Sequence, residues 1–355
     1  MPTYRVTTEE LLAQLSKTKG GSDLILTVGK PPQFKVHGEV GDVPGCEVLT
    51  PQTSEELCLS VLSEEQIKRF RNDKELDLSL HVEGVARFRV NVFQQRGAVA
   101  MVCRIVMDKV PGFAQLGLPS VIEELAKLRK GLVLFTGPTG HGKSTSVASV
   151  VDYINQHRAC HIISIEDPIE YVHTHAKAVI EQREVGLDTD SFHGALRRIL
   201  RQAPDVIIIG EIRDRESAAA AMTLAETGHL ILATLHTSGA IASVNRLIDM
   251  FPSEQEKQIR SQLSISLAAV IWQQLIPAKN KAGLVLACEV MIAVPAIRSL
   301  IRQGRIHEVY SLIQTGHKHG MFTMDQAIEA LAAQNKIDRE WFDNNYFDMA
   351  NRKTG

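Results

Sequence analysis

The sequence has few of the features that mark secreted, membrane-spanning or disulfide-bonded proteins. Its 355 residues include five cysteines, scattered and without a CxxC pair, which argues against a disulfide framework or a zinc site and favours a reducing cytoplasm. The longest apolar runs, such as Val206–Ile209 and Leu267–Trp272, are far shorter than the roughly 18 residues that a membrane span needs. Met1–Glu10 has no apolar core, so no secretory signal is expected.

An excess of one charge is also missing. The chain has 39 Lys and Arg residues against 41 Asp and Glu residues, a formal net charge of −2. A general nucleic-acid binder normally has a basic excess, so the composition argues against a nucleic-acid partner. Hydrophobic residues make up 44% of the chain and charged residues 23%, which is typical of globular proteins and excludes a wholly disordered, collagenous or coiled-coil chain. The length predicts two domains, or three.

Residues 6–110 have the pattern of an α+β domain. Leucines at helical spacing predict a helix over Thr7–Lys17, and two more helical stretches lie within Ser54–Phe70, where Ser63 and Gln66 suit a capping box. Alternating or apolar segments predict strands over Asp23–Val28, Gln33–Val40, Asp77–His81, Ala86–Gln94 and Val99–Met107. Because the run Arg87–Phe93 alternates, its arginines should leave the sheet on one face.

Asp108–Pro119 is rich in proline and glycine and is predicted to connect two domains, with the linker over residues 111–119. Beyond it, apolar strands alternate with helices, which predicts an α/β fold with a parallel sheet covered on both faces. The predicted elements are Leu132–Thr136, Lys143–Gln156, His161–Glu166, Phe192–Arg201, Val206–Gly210, Arg213–Thr227 and Leu230–Leu235. From Ser253 the chain is expected to be mostly helical, apart from a hairpin around Lys279–Gly283. An α/β core over 120–290 and a helical region over 291–355 follow from this pattern.

The most specific motif is Gly137–Ser144, which fits GxxxxGK[ST] in full between a predicted strand and a predicted helix. Its glycines let backbone N–H groups turn towards a phosphate, and the helix N-terminus adds a positive dipole. Lys143 suits the β- and γ-phosphates and the Ser144 hydroxyl suits Mg²⁺. The predicted nucleotide-binding residues are Gly137, Pro138, Thr139, Gly140, His141, Gly142, Lys143, Ser144 and Thr145.

Two later strands end in acids. Val206–Glu211 has the Walker B pattern, with Gly210 in place of the usual Asp before Glu211, whose carboxylate can polarise water or hold Mg²⁺ through water. The strand from His161 is followed by Glu166, Asp167 and Glu170. These acids would converge on the γ-phosphate if their strand lies next to the P-loop strand, and the alternative is a solvated acidic loop.

Two histidines bracket a third apolar strand, His229 before it and His236 after it. Either could report the state of the γ-phosphate through a hydrogen bond, and a structural role is the alternative. Neither has carboxylate or cysteine neighbours at metal-ligand spacing, so a zinc site is not expected.

The four motifs, in this order and spacing, resemble the secretion-ATPase superfamily of RecA-like motors and, within it, the PilT-like type IV pilus retraction ATPases. The resemblance covers nearly the whole chain, and further matching segments are Gly21–Leu24, Arg87–Phe93, Gln182–Gly186, Leu200–Asp205, Leu224–Leu230 and Ala296–Gln303. The last of these is similar to the AIRNLIRE motif of retraction motors. The chain departs from the family pattern at Ser299, Gln303, His141 and Ala203. The two departures in the last motif, Ser299 and Gln303, keep an accessory PilU-like paralogue open.

The resemblance implies a PAS-like N-terminal domain, a RecA-like ATPase domain and a homo-hexamer that binds ATP and Mg²⁺. Arg89 and Arg104 match positions that resemble the family's arginine fingers. Glu211 and the acidic-motif residues Glu166 and Glu170 would divide water activation and metal positioning, and which acid is the base stays open. His229 is the preferred γ-phosphate sensor, and Ser144 and Glu211 are the expected Mg²⁺ ligands.

The implied function is pilus retraction, driven from the cytoplasmic face of the inner membrane. The implied partners are an inner-membrane platform protein and a paralogous retraction ATPase, with only peripheral membrane association. Three alternative functions have their own expected features.

An assembly or type II secretion ATPase is expected to carry a further N-terminal domain and a tetracysteine module. A nucleic-acid motor is expected to be basic. A nucleotide-regulated scaffold would not need an intact P-loop with paired acids.

Overall fold

The computed structural model describes residues 5–106, 110–279, 283–338 and 340, and its contacts divide the chain into two compact units. The first unit runs to Lys109 and also includes the short segment Pro168–Val172. The second unit consists of Val110–Asp167 and the chain from His173 onwards. Three parts of the predictions lie outside the described residues: the end of the predicted strand at Met107, the tip of the predicted hairpin at 280–282, and the end of the predicted helical region at 341–355.

The first unit is built on an antiparallel sheet. Its strands are β1 (Gly21–Leu26), β2 (Gln33–Val36), β3 (Glu39–Asp42), β4 (Glu75–Val82), β5 (Ala86–Gln95) and β6 (Ala98–Val106), in the order β3-β2-β1-β6-β5-β4. Its helices are α1 (Thr8–Lys17), α2 (Pro51–Leu59) and α3 (Glu64–Asp73). The predicted capping box of α3 is present, since the Ser63 hydroxyl accepts the Gln66 N–H and the Gln66 side chain accepts the Ser63 N–H. The predicted α+β character of this half is therefore confirmed.

Strand β5 separates its side chains as its alternating sequence predicts. Phe88, Val90 and Val92 are fully buried in the core of this unit, whereas Arg89 on the opposite face is exposed. One prediction was wrong: Gln33–Val40 is not a single strand. It splits into β2 and β3 because the chain reverses at His37 and Gly38, both with positive φ.

The second unit alternates strands and helices. Its strands are β7 (Gly131–Thr136), β8 (His161–Glu166), β9 (Val179–Glu184), β10 (Val206–Ile209), β11 (Leu230–Leu235), β12 (Leu267–Pro277) and β13 (Leu284–Ile292). Its helices are α4 (Phe113–Leu116), α5 (Val121–Ala126), α6 (Lys143–His157), α7 (Phe192–Arg198), α8 (Arg215–Glu226), α9 (Ala240–Asp249), α10 (Glu256–Ser266), α11 (Pro295–Gln303), α12 (Val309–Gln314) and α13 (Met324–Ala333). Within the described ranges, none of these helices combines the length and apolar character that a bilayer crossing requires.

The sheet of this unit has the order β13-β12-β7-β11-β10-β8-β9, with only β13 antiparallel to its neighbour. Separate apolar clusters cover its two faces, so the predicted α/β class is confirmed. Strand β8 does not lie next to the P-loop strand β7, the condition on which the convergence of its acids depended, because β11 and β10 come between them. The carboxyl ends of these parallel strands nevertheless share one edge of the sheet.

In the part of the chain that the structure describes, the residues after Ser253 are mostly helical, as predicted, but β12 and β13 are longer than the predicted hairpin and pair over nine register positions along the edge of the sheet. Most of β12 is buried, and its apolar run Leu267–Trp272 lacks the two-residue alternation that identifies a half-exposed strand. The predicted hairpin exists as the pairing of these two strands. Strand β9, which pairs with β8, was not predicted at all.

The predicted linker, residues 111–119, belongs to the second unit and contains α4. The Ser149 hydroxyl of α6 donates a 2.7 Å hydrogen bond to the carbonyl of Pro111. The ring of Phe113 stacks on that of Tyr153, with centroids 5.2 Å apart. These contacts hold the start of the second unit against α6, the helix that follows the P-loop.

Candidate nucleotide site

The candidate site lies at the carboxyl edge of the parallel sheet, where ligands of open α/β folds bind. Here the chain leaves β7, β11, β10 and β8 through four loops that carry the P-loop, His236, Glu211 and Asp167, and Glu166 is the last residue of β8. The sheet register aligns Thr136 with Leu235, so the P-loop and His236 leave neighbouring strands at the same level.

The P-loop has the backbone that its glycines permit. Gly137 has a φ of 143°, and a Cβ there would overlap the carbonyl oxygen of Gln273 on β12, so only glycine fits. Gly142 has a φ of 78° and precedes α6 without any side-chain cap on the first N–H groups of that helix. Uncapped N–H groups at a helix N-terminus form an anion site, which suits a phosphate.

Lys143 is buried, with only 7% of its surface exposed, and its ammonium group turns back onto the loop. Its Nζ donates 2.8 Å hydrogen bonds to the carbonyls of Gly137 and Pro138 and lies 3.3 Å from Nδ1 of His236. A buried cation costs free energy unless it is paired or hydrogen-bonded, and the loop carbonyls offset that cost. A β- or γ-phosphate is a stronger acceptor for the same group.

Gly210 explains why the usual Walker B aspartate is missing. A Cβ at this position would lie 3.2 Å from the carbonyl oxygen of Ile165 and 3.4 Å from the Cα of Glu166 on the adjacent strand. Both separations are tight for a side chain. The close approach brings Glu211 to the same edge, beside the loop that follows β8.

Glu211 is held by two cationic or protonatable partners. Its Oε2 accepts a 2.8 Å hydrogen bond from Nε of Arg213, and its Oε1 lies 3.3 Å from Nε2 of His236. Arg213 also contacts Asp167 at 3.2 Å, and these pairs, the hydrogen bond to Glu211 foremost, raise the pKa of Arg213. Sequence reasoning missed Arg213, although its position two residues after Glu211 was a usable signal.

His236 joins the two halves of the site. Its Nδ1 faces Lys143 and, at 3.4 Å, the hydroxyl of Thr139, while its Nε2 faces Glu211. An imidazole in this position contacts both the phosphate-binding lysine and the acid that would polarise water. A change on one side can therefore be transmitted to the other through the ring.

The structure places His229 elsewhere. It precedes β11, where its Nδ1 lies 3.0 Å from the carbonyl of Leu224 and 3.2 Å from the hydroxyl of Thr227. At about 3.3 Å per strand residue, His229 and His236 lie about 20 Å apart along β11. Within one chain, His236 rather than His229 reaches the P-loop. The sequence held a signal for this, because only His236 follows its strand as the P-loop follows β7.

The acids after β8 are not all in one place. Glu166 accepts a 2.6 Å hydrogen bond from the hydroxyl of Ser164 and a 3.2 Å bond from the amide of Gln182. Asp167 forms the ion pair with Arg213. Glu170 is exposed and belongs to Pro168–Val172, the segment that packs in the first unit. The expected convergence therefore joins Asp167 with Glu211 through Arg213, and Glu170 is not part of that cluster.

The two predicted arginine fingers are neighbours in the first unit. Arg89 and Arg104 are directly opposite each other on β5 and β6. Arg104 also donates a 2.7 Å hydrogen bond from Nε to Asp23, a carboxylate of which only 5% is exposed. Their side chains therefore form a basic pair on one face of the sheet, with Arg104 fixed by a buried acid and Arg89 exposed.

The oxygen donors present fit Mg²⁺, which prefers carboxylates, hydroxyls, water and substrate phosphates. Ser144 is the second residue of α6, where its hydroxyl is available next to the phosphate-binding N–H groups. Glu211 can add a carboxylate through water. Among the described residues, no cluster of three or more His, Cys, Asp or Glu side chains could hold a metal alone, so phosphate oxygens would complete the ligand set.

His141 connects the P-loop to the sheet. Its Nδ1 accepts a 3.0 Å hydrogen bond from the Leu275 N–H of β12, which requires an unprotonated nitrogen. Burial, and secondarily the charge of Lys143, lowers the pKa of His141. Protonation therefore favours the unfolded chain, and the stabilisation is present above the ordinary pKa and lost as the pH falls through the lowered one.

We expect His141→Ser to lower the thermal unfolding midpoint at pH 8 by about 2–4 °C, the effect of losing one hydrogen bond in a domain of this size. Once the pH has fallen through the lowered pKa of His141, the wild-type chain should lose the same bond, so the two midpoints should converge. Parallel melting curves at decreasing pH, with the protonation of His141 followed by NMR, measure the difference. A gap between the two proteins that stays constant after His141 has become protonated would contradict the role assigned to the imidazole.

Comparison with known proteins places these features in a family. Residues 33–339 match the family model described as type II/IV secretion system protein. The chain is 45% identical to the type IV pilus retraction ATPase PilT of Pseudomonas aeruginosa over 331 residues, covering 93% of this chain and 95% of the relative. It is 44% identical to the type IV pilus ATPase PilU of the same organism, covering 93% and 86%.

A solved structure is similar over almost the whole chain. The crystal structure of the pilus retraction motor PilT with bound ADP superposes with a TM-score of 0.89 at 43% identity, covering 95% of this chain and 96% of that one. The ATPase DotB of Legionella pneumophila superposes with a TM-score of 0.83 at 25% identity, covering 98% and 97%. The mixed α/β architecture with an N-terminal and an ATPase part is thus shared with solved ATPases.

Proposed function

Since the chain belongs to the type II/IV secretion system protein family and is an ATPase of that family, we propose that it is a motor that powers type IV pilus retraction. The observation that carries the proposal is one site at the carboxyl edge of the sheet in which His236 contacts both Lys143 and Glu211. The high identity to a retraction ATPase over 93% of the chain connects this chemistry to pilus retraction.

The proposed hydrolysis uses the contacts already present. Lys143 exchanges the carbonyls of Gly137 and Pro138 for the β- and γ-phosphates of ATP, and the N–H groups of α6 bind the same phosphates. When Lys143 moves, Nδ1 of His236 loses its contact with the ammonium group, while Nε2 still faces Glu211. Glu211, released from Arg213, polarises the attacking water. Mg²⁺ held by Ser144 would neutralise charge that develops on the phosphates.

A motor needs an element that couples hydrolysis to motion. We propose that Arg89 and Arg104 of the first unit approach the phosphates as arginine fingers, a contribution that can reach about 10³–10⁵ in rate. Arg104 must then leave Asp23, so the buried carboxylate competes with the nucleotide for the same guanidinium. Sequential approach and withdrawal around a homo-hexameric ring would turn hydrolysis into rotation or translation of a partner.

The proposed partner is a platform protein of the inner membrane, contacted from the cytoplasmic face. A second candidate function is that of an accessory PilU-like paralogue acting beside the main motor. The observation that favours it lies in α11, where Ser299 and Gln303, both departures from the retraction motif, form a 3.0 Å hydrogen bond with each other. The two substitutions therefore act as one local change on the surface of this helix.

Deletion of the gene, with complementation, tests the biological role. Loss of a retraction motor should leave cells with more surface pili than wild type and without twitching motility, and the wild-type copy should restore both. A copy carrying Lys143→Ala should fail to restore them. Bald cells would contradict retraction and indicate assembly. Twitching that is only weakened, with normal piliation, would favour the accessory role.

A further inference from the structure

Glu289 is a buried carboxylate that the proposed chemistry does not use. It lies on β13, only 6% of its surface is exposed, and its two oxygens point to two different helices. Oε1 accepts a 2.8 Å hydrogen bond from the N–H of Ala240, the first residue of α9, and Oε2 accepts a 3.4 Å bond from the N–H of Met324, the first residue of α13. Both helix dipoles stabilise the charge.

For α9, Glu289 takes the place of a missing cap. The N-cap residue is Gly239, which has no side chain to accept an N–H and has a φ of 121°. A cap on a helix is normally supplied by its own Ser, Thr, Asp or Asn. Here the acceptor comes from a strand of the sheet, so the start of α9 is fixed to β13.

The loop that leads into α9 is the one that carries His236. Two hydrogen bonds fix this loop to α9. The hydroxyls of Thr237 and Ser243 bond each other at 2.6 Å, and the Ser243 hydroxyl donates a 2.7 Å bond to the carbonyl of Gly239. Ser243 is fully buried. The place of His236 is therefore set by the start of α9, and the start of α9 is set by Glu289.

A small displacement of His236 would matter, because its two nitrogens lie 3.3 Å from Lys143 and 3.3 Å from Glu211. Displacing a reacting group by about 1 Å can cost about 10²-fold in rate. Meanwhile Glu289 also holds the start of α13, in a C-terminal segment that pairs with β13 between Phe322 and Val290. One carboxylate thus joins a C-terminal helix to the loop of the nucleotide site.

We propose that Glu289 is a positioning residue for ATP hydrolysis: by bonding the N-termini of α9 and α13 together, it fixes His236 between Lys143 and Glu211. The inference rests on the proposed role of His236 and deepens it.

The test is steady-state ATP hydrolysis by the full-length protein. Glu289→Gln keeps the volume but replaces one acceptor oxygen by a donor, so one of the two helix N-termini loses its bond. We expect kcat to fall about tenfold, the effect of one charge-assisted hydrogen bond, with KM for ATP within about twofold of wild type. His236→Ala should also lower kcat, and the double variant should be no slower than the slower single variant.

Ala240→Pro is an independent second variant. Proline is tolerated at the first position of a helix and removes the N–H that Glu289 accepts, and its ring occupies the space towards Oε1, so the carboxylate must turn away from α9. It should lower kcat to a similar extent and decides the question if Glu289→Gln fails to fold. The matched control is Thr323→Ala, which removes the side-chain cap of α13 but leaves the bond between Glu289 and Ala240 intact. It should stay within about twofold of wild type.

Four results would overturn the proposal. Multiplicative effects of Glu289→Gln and His236→Ala would show that Glu289 acts by another route. An equal loss of kcat in Thr323→Ala would show that Glu289 acts only by stabilising the C-terminal helix. An unchanged kcat in both Glu289→Gln and Ala240→Pro would show that Glu289 does not position His236, while the proposed function would still stand. If His236→Ala alone is fully active, the proposed role of His236 fails and this inference fails with it.

Discussion

Replacing Lys143 with alanine should reduce kcat/KM for ATP by at least about 10²–10³-fold, because it removes the buried cation that the proposed mechanism brings to the phosphates. Two effects add in the same direction. The β- and γ-phosphates lose their charge partner in the ground state, and the transferring phosphoryl group loses it in the transition state. Hydrolysis is measured as phosphate release, and nucleotide affinity by titration with a fluorescent ATP analogue.

The fold should survive this change, since the carbonyls of Gly137 and Pro138 become exposed to water when the ammonium group leaves. A matched control is Lys127→Ala, which removes an exposed lysine that pairs with Glu123 and Glu124 on α5. That variant should hydrolyse ATP at the wild-type rate, because surface pairs of this kind contribute little. Retained hydrolysis in Lys143→Ala would exclude Gly137–Ser144 as the catalytic P-loop.

Glu211→Gln should separate binding from hydrolysis. The amide keeps the size of the side chain but cannot polarise water as a base, so kcat should fall about 10²–10⁴-fold while ATP still binds. ATP mixed with the variant should stay bound and unhydrolysed, as shown by separating nucleotides extracted from the protein. The exposed residue Glu329 on α13 supplies the control, and Glu329→Gln should be indistinguishable from wild type.

The same experiment decides between the candidate bases. Glu166→Gln and Glu170→Gln, measured in parallel, should each lose less activity than Glu211→Gln, since Glu211 is the acid that contacts His236. A greater loss of kcat in Glu170→Gln would identify Glu170, in the segment that packs in the first unit, as the base. Glu211 would then be left with metal positioning only.

Structural features could be predicted from the sequence where their residues follow a fixed motif spacing or a clear hydrophobic period. The P-loop was identifiable because its chemistry requires particular residues at fixed spacing, and strands β8 and β11 were predicted at their observed bounds. Strand β12 was missed because it is buried on both faces, so its apolar run carries no period that separates a strand from a helix.

The site was predictable in its parts and not in its connections. Spacing could indicate that both histidines bracket a strand, but the pairing of Thr136 with Leu235 is what brings His236 to the P-loop. Likewise, no local pattern reveals that β10 and β11 separate β7 from β8, or that Arg213 joins Glu211 to Asp167. These facts depend on the order of strands in the sheet, which arises from contacts between residues far apart in the chain.

The return of Pro168–Val172 to the first unit has a consequence for biosynthesis. A ribosome releases the chain from its amino end, and domains usually begin to fold as they emerge. Here the first unit cannot be completed until Val172 has left the exit tunnel. By then β7 and β8 have been synthesised, but β10 and β11, which lie between them, have not. The apolar strands β7 and β8 therefore remain without the neighbours that later separate them until β10 and β11 have been synthesised.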